Sequence, residues 1–180
     1  MAEKLLSTYD QKFATELIGQ LITASKSGLN YGDLRSQIKP LMLKLMDEYG
    51  GVLWPILGES IVQAEGMERY WLQQLLGREK GFGEDFPSVL SALPVESIID
   101  WCLTAPELGP AFIASCLTVI ETVDEQRQPS TLFITLLEHF GGDQNVVNRL
   151  SANMDSRGWS GSLVPYLESD KVVLSPLIKH

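Results

Sequence analysis

Histidine and cysteine are scarce in this chain of 180 residues, with two of each. His139 and His180 stand far apart, and Cys102 and Cys116 lack CxxC spacing, so no metal site can be assembled from the four. Both cysteines sit inside apolar segments and read as buried free thiols of a reducing compartment. Long hydrophobic runs are missing too. The longest uncharged stretch is "LGPAFIASCLTVI", residues 108 to 120. A bilayer span needs about 20 residues, so this stretch is expected to be a buried helix, with no membrane partner. The start "MAEKLLSTYDQK" has no apolar stretch of the secretory kind, which makes the cytoplasm the expected compartment. Basic residues are few: 14 against 23 acidic ones, a formal net charge of −9. A phosphate backbone is repelled by such a chain unless its cations gather on one face. Arg69, Arg78, Lys80, Arg127, Arg149 and Arg157 are scattered among acids, which argues against nucleic acid.

What is present is an ordinary globular composition, 44% hydrophobic and 21% charged, of a length that suits a single domain with one core. Helical periodicity dominates and strand signals are nearly absent. "DQKFATELIGQLITASKSG" spaces Phe13, Leu17, Ile18, Leu21 and Ile22 as an apolar stripe, with Asp10 as N-cap and Gly28 as stop. "DLRSQIKPLMLKLMDEYGG" begins at the Asp33 cap, carries Pro40 as a kink or first-turn residue, and ends at Gly50-Gly51. A separate short helix is expected from Pro55. "MERYWLQQLLG" ends at Gly77; "REKGFGEDFP" is a loop; "PSVLSAL" is a helical turn. "PVESIIDWCLTAP" and "PAFIASCLTVIETV" are helices, "DEQRQPS" is a polar connector, and "TLFITLLEHFGG" pairs with "DQNVVNRLSANM", capped by Asp143. After the loop "DSRGWSGS", short segments surround "LVPYL" and "KVVLSPLIKH". The pattern predicts an all-α chain of about eleven short antiparallel helices with connections of roughly 2 to 8 residues.

Two stretches are alike. "LMLKLMDEYGG" (41–51) and "LFITLLEHFGG" (132–142) agree in residue type at 9 of 11 positions, 91 residues apart. That offset is about twice the roughly 40 to 47 residues of a HEAT or armadillo unit. A two-helix unit cannot bury its apolar face alone, so stacked neighbours must repeat stripe and turn. Any amphipathic helix that ends in Gly-Gly would also match, so coincidence stays open. In this register His139 falls opposite Glu48, which places it on a solvated face and outside catalysis.

The alternation of short helices, the "LLEHFGG" to "VVNRL" pairing and the closing "GWSGSLVPYLES…LSPLIKH" resemble HEAT/armadillo-like α-solenoids. More particularly, residues 40 to 180 are similar to the C-terminal helical-repeat regions of large bacterial multidomain proteins of the sensor, NTPase and phage-defence kind. The resemblance implies a HEAT-like superhelical array or an irregular right-handed helical bundle. It also implies one helical domain over 1–180, with 1–39 as an N-terminal helical cap and 40–180 as the repeat-like region. The further helix expected after "PLIKH" is missing, which suggests a piece of a longer chain or a terminal cap. Solenoid motifs encode packing and carry no chemistry.

Candidate chemistry is thin. "GWSGS", residues 158 to 162, departs from the Gly-x-Ser-x-Gly nucleophile elbow because Ser162 replaces the last glycine and no strand precedes it. "GREKGFGED" has glycines without the Lys-Ser/Thr or the preceding strand that a phosphate loop needs. Glu65 and Glu68 lie one turn apart beside Arg69, as on a solvated face. No catalytic residue, metal ligand or cofactor is therefore assigned. The binding candidates are Trp159 in its glycine-flanked turn, Phe82 at a loop tip and Tyr166 in "LVPYL". The expected function is non-enzymatic protein–protein interaction, as a scaffold or sensor module on stacked helical hairpins. Its partner would be another protein or another domain of a longer parent chain. The alternative is a compact acidic regulator or immunity-type inhibitor that masks a partner's basic site.

Overall fold

The computed structural model describes residues 11–26, 37–77, 79–80, 85–86 and 88–157. Within them are seven α-helices: α1 (Gln11–Lys26), α2 (Lys39–Gln63), α3 (Gly66–Leu76), α4 (Val95–Thr104), α5 (Gly109–Cys116), α6 (Thr131–Phe140) and α7 (Gln144–Arg157). A 3-10 turn, Val89–Ala92, precedes α4, and two antiparallel ladders join neighbouring elements. The first pairs β1 (Glu79–Lys80) with β2 (Asp85–Phe86), and the second pairs β3 (Ile120–Val123) with β4 (Gln126–Pro129). The helices form two layers. In one, α1 packs on α3, α3 on α5 and α5 on α7; in the other, α2 packs on α4 and α4 on α6. One continuous apolar core lies between them, from Ile18 of α1 through Leu57, Leu75, Ile98 and Ile113 to Leu150 of α7.

The expected array of about eleven short helices is wrong, since the described residues hold seven α-helices, although they are mostly helical as expected. The described helices run from 8 to 25 residues, and two ladders interrupt them. Two of the expected helices, around "LVPYL" and "KVVLSPLIKH", lie outside the described residues, and the expected helical turn "PSVLSAL" is a 3-10 turn. Two local features of the rest differ as well. The first is α2, where the sequence predicts that one helix ends at Gly50-Gly51 and a new one begins at Pro55. A kink at Tyr49 (φ −128°, ψ 15°), one residue before the glycine pair, divides α2 into two helical segments, so the chain does break beside the pair. The second segment starts ahead of Pro55 and runs through it to Gln63. Just after the kink, Gly50 lets α2 approach the segment that follows the 3-10 turn, because a Cβ there would lie 2.7 Å from Leu93 Cδ2. Gly58 does the same one stretch later, where a Cβ would meet Trp101 Nε1 at 2.5 Å.

The second is "TVIETVDEQRQP". Helix α5 stops at Cys116, and the β-branched residues Ile120, Thr122 and Val123 are extended. Asp124 and Glu125 both take positive φ, 49° and 64°, and turn the chain back into β4, which pairs Val123 with Gln126. Two consecutive left-handed residues are the geometry of a two-residue hairpin turn. Its usual Asn-Gly signature is absent, so the sequence hid it.

Other boundaries follow local chemistry. Pro40 and Pro110 occupy first turns, where a missing amide costs nothing. Asp143 Oδ1 accepts from the Asn145 amide at 2.8 Å at the start of α7. The register of the two similar stretches survives in burial. Met42, Leu45 and Met46 are buried as Phe133, Leu136 and Leu137 are, while Asp47 and Glu48 are exposed as Glu138 and His139 are. His139 thus stands in solvent beside the Phe140 ring, 6.0 Å between centroids.

Candidate functional site

Of the residues singled out from sequence, Trp159, Phe82 and Tyr166 lie outside the described residues, as does the whole "GWSGS" turn. Asp10, Gly28 and Asp33 lie outside them too. Cys102 and Cys116 are free and buried. Burial in apolar surroundings pushes the Cys102 thiol from 9.0 up to about 12, which makes it an inert packing group at neutral pH. Among the described residues no three His, Cys, Asp or Glu side chains gather as a metal site would require, and no helix is long and apolar enough to cross a membrane.

Three places have the geometry to contact something. The first is a cavity of about 190 Å³ lined by Leu90, Ser91, Thr118, Glu121, Ser130 and Leu132, among others. Its hydroxyls are already engaged in holding the fold. The Ser88 amide donates to Thr118 Oγ1 at 3.1 Å, and Ser88 Oγ donates to the Leu76 carbonyl at 2.9 Å. Ser91 Oγ donates to the Ser88 carbonyl, and Ser130 Oγ donates to the Thr118 carbonyl while accepting from the Phe133 amide as the cap of α6. This seam ties the 3-10 turn, the start of the hairpin and α6 together.

The second is a cleft of about 130 Å³ between α3, α5 and α7, lined by Arg69, Gln73, Glu107, Ser115, Asn145 and Arg149 with apolar neighbours. Its floor is rigid. Asn153, buried on α7, donates to the carbonyls of Ala114 and Leu117 at 2.9 and 3.1 Å and so closes the end of α5.

The third is the corner where α2 turns into α3. Val62 is 48% exposed, Met67 64% and Tyr70 47%, and Trp71, half-buried, meets Tyr70 edge-on at 5.7 Å. The reason lies in the arrangement of α3. Leu72, Leu75 and Leu76 face the core, while Met67, Tyr70 and Trp71 form a second apolar stripe at helical spacing that has nowhere inside to go. Sequence reasoning passed over this corner by taking "MERYWLQQLLG" simply as a helix ended by Gly77. The available signal was that it is apolar on two faces, one more than a surface helix of a two-layer fold can bury.

No family model matches the chain, and no curated protein or solved structure does either.

Proposed function

We propose that this chain is a non-enzymatic protein-binding module of the scaffold or sensor kind, cytoplasmic, whose contact surface is the α2–α3 corner. The observation that supports this is the exposure of Val62 at the end of α2 and of Met67 and Tyr70 at helical spacing on α3, with the Trp71 ring against Tyr70. Single exposed apolar residues are commonplace, whereas a contiguous group rimmed by polar side chains marks an interaction site. Tyr and Trp are also the side chains that anchor interfaces most often. Glu59, Gln63, Glu65 and Glu68 supply the rim. The partner is another protein or a further domain of a longer parent chain. A capture experiment with three immobilised proteins tests this: the wild type, a Met67→Ser/Tyr70→Ser double variant and a Val123→Ser control. A protein retained by wild type and control and released by the double variant is the expected result; equal retention by all three contradicts the assignment.

A second reading has one observation of its own. The exposed side chains of α2, α4 and α6 include Asp47, Glu48, Glu96, Asp100 and Glu138, an acidic layer suited to covering a partner's basic site. Salt separates the readings. Association through the acidic layer weakens steeply as ionic strength rises, and association through the apolar corner changes little.

A further inference from the structure

The exposed apolar side chains of the α2–α3 corner stand in a stretch of one charge sign. No lysine or arginine occurs between Lys44 and Arg69, while the same stretch holds Asp47, Glu48, Glu59, Glu65 and Glu68. Two of these acids are exposed next to the corner: Glu59 lies one turn before Val62 on α2, and Glu65 stands in the link between the helices, two residues before Met67. The first cation after them, Arg69, is turned inward. Its Nη2 donates to the Ala64 carbonyl, and its Nε is shut off from solvent. Along α3, Met67, Tyr70, Trp71 and Gln74 fall at i, i+3, i+4 and i+7, a helical stripe separate from the core face of Leu72, Leu75 and Leu76.

We propose that the partner held at this corner is a basic amphipathic helix, an apolar stripe edged by lysine or arginine. The inference rests on the corner being the contact surface and adds to that reading the sign and shape of what it holds. A stripe at helical spacing is matched by the ridges of a second helix. The acids choose the edges of that helix, because an acidic edge would set like charges together. A second copy of the chain is disfavoured for the same reason, since a two-fold interface brings the patch with Glu59 and Glu65 against itself. Anionic lipid headgroups meet the same repulsion. Apolar contact supplies most of the affinity. Each exposed ion pair changes it by about two- to fivefold, which is small beside the salt dependence of association through the acidic layer.

The test measures binding of the full chain, by fluorescence anisotropy, to three synthetic amphipathic helices that share one leucine stripe and carry lysine, glutamine or glutamate at every polar position. Wild type should bind the lysine peptide saturably, the glutamine peptide about fivefold more weakly and the glutamate peptide most weakly. Met67→Ser/Tyr70→Ser should weaken the lysine peptide about tenfold or more, through loss of the apolar anchors. Glu59→Gln/Glu65→Gln should weaken the lysine peptide about threefold and leave the glutamine peptide unchanged, whereas Glu96→Gln/Asp100→Gln should change neither. A glutamine peptide bound as tightly as the lysine peptide, with both released by Met67→Ser/Tyr70→Ser, overturns the basic partner and keeps the corner. A lysine peptide held equally by the Met67→Ser/Tyr70→Ser variant, or weakened only by Glu96→Gln/Asp100→Gln, overturns the corner as well. Absence of saturable binding to any of the three overturns the proposal. So does a wild-type dimer in sedimentation that Met67→Ser/Tyr70→Ser dissociates, which assigns a second copy, or retention on phosphatidylcholine vesicles lost in the same variant, which assigns a lipid surface.

Discussion

Replacing glycine by alanine gives opposite results at two positions of the second segment of α2, which follows the kink at Tyr49. At Gly51 the backbone is helical and exposed, and an added Cβ meets nothing within 4 Å. Alanine there removes the entropic penalty of a helical glycine and stabilises by up to about 1 kcal/mol. At Gly58 the added Cβ would sit 2.5 Å from Trp101 Nε1 and 2.8 Å from Trp101 Cδ1. The indole cannot simply swing away, because its ring packs edge-on against Trp54 with centroids 5.2 Å apart, and Trp54 is itself held by its bond to the Ser97 carbonyl at 3.1 Å. Overpacking of this kind costs about 1–3 kcal/mol. The disturbed aromatic pair adds about 0.5–1.5 kcal/mol, and the better helix propensity of alanine returns about 1 kcal/mol. The net loss centres near 2 kcal/mol, a fall of about 4–8 °C in Tm for a chain of this size. Thermal and guanidinium unfolding followed by circular dichroism reads both variants. A destabilised Gly51→Ala would refute the reasoning, because alanine is strained only if Gly51 is a left-handed helix stop; so would a Gly58→Ala variant as stable as wild type.

Three further outcomes follow from individual contacts. The Cys102 thiol titrates at about 12 in the fold instead of 9.0, so the folded state favours the protonated form. Its contribution to stability is complete below pH 9 and is lost as pH rises towards 12. Urea midpoints measured across that window should fall less steeply for Cys102→Ala than for wild type, and parallel profiles would show the thiol to be inert in the balance. Asn153→Asp removes the donor to Ala114 and Leu117 and sets a carboxylate against two buried carbonyls; a loss of about 3 kcal/mol or more in the urea midpoint is expected, against a near-neutral result if the side chain were solvated. Glu125→Gly places glycine where φ is 64°, and a gain of about 1 kcal/mol is expected from relief of the left-handed conformation, with a loss of stability counting against the two-residue turn.

The pattern of apolar residues was legible wherever one face of a helix met the core. The stripe of α1 is buried at Ile18 and Ile22 as its spacing implies, and the limits of α4 follow Pro94 and Pro106. The similar stretches 41–49 and 132–140 share much of their burial pattern, including the exposed Glu48 and His139. Illegible were the features set by distant neighbours. Gly50-Gly51 marks the break at Tyr49, but the sequence cannot show that Gly50 also makes room for Leu93. Asp124 and Glu125 read as a polar connector because neither residue favours positive φ, and the ladder between β3 and β4 imposes it. For function, the sequence directed attention to aromatic residues in glycine-rich loops, whereas the corner and the cleft of the described residues are built from ordinary helical positions: Met67, Arg69, Tyr70 and Arg149.

The claim that the α2–α3 corner is the contact surface is tested most directly by a photoreactive amino acid placed in turn at position 67 and at position 123, both exposed and apolar in the native chain. Irradiation in the cell of origin should give a discrete cross-linked protein species from position 67 and none from position 123. Equal cross-linking at both positions, or none at 67, would contradict the account.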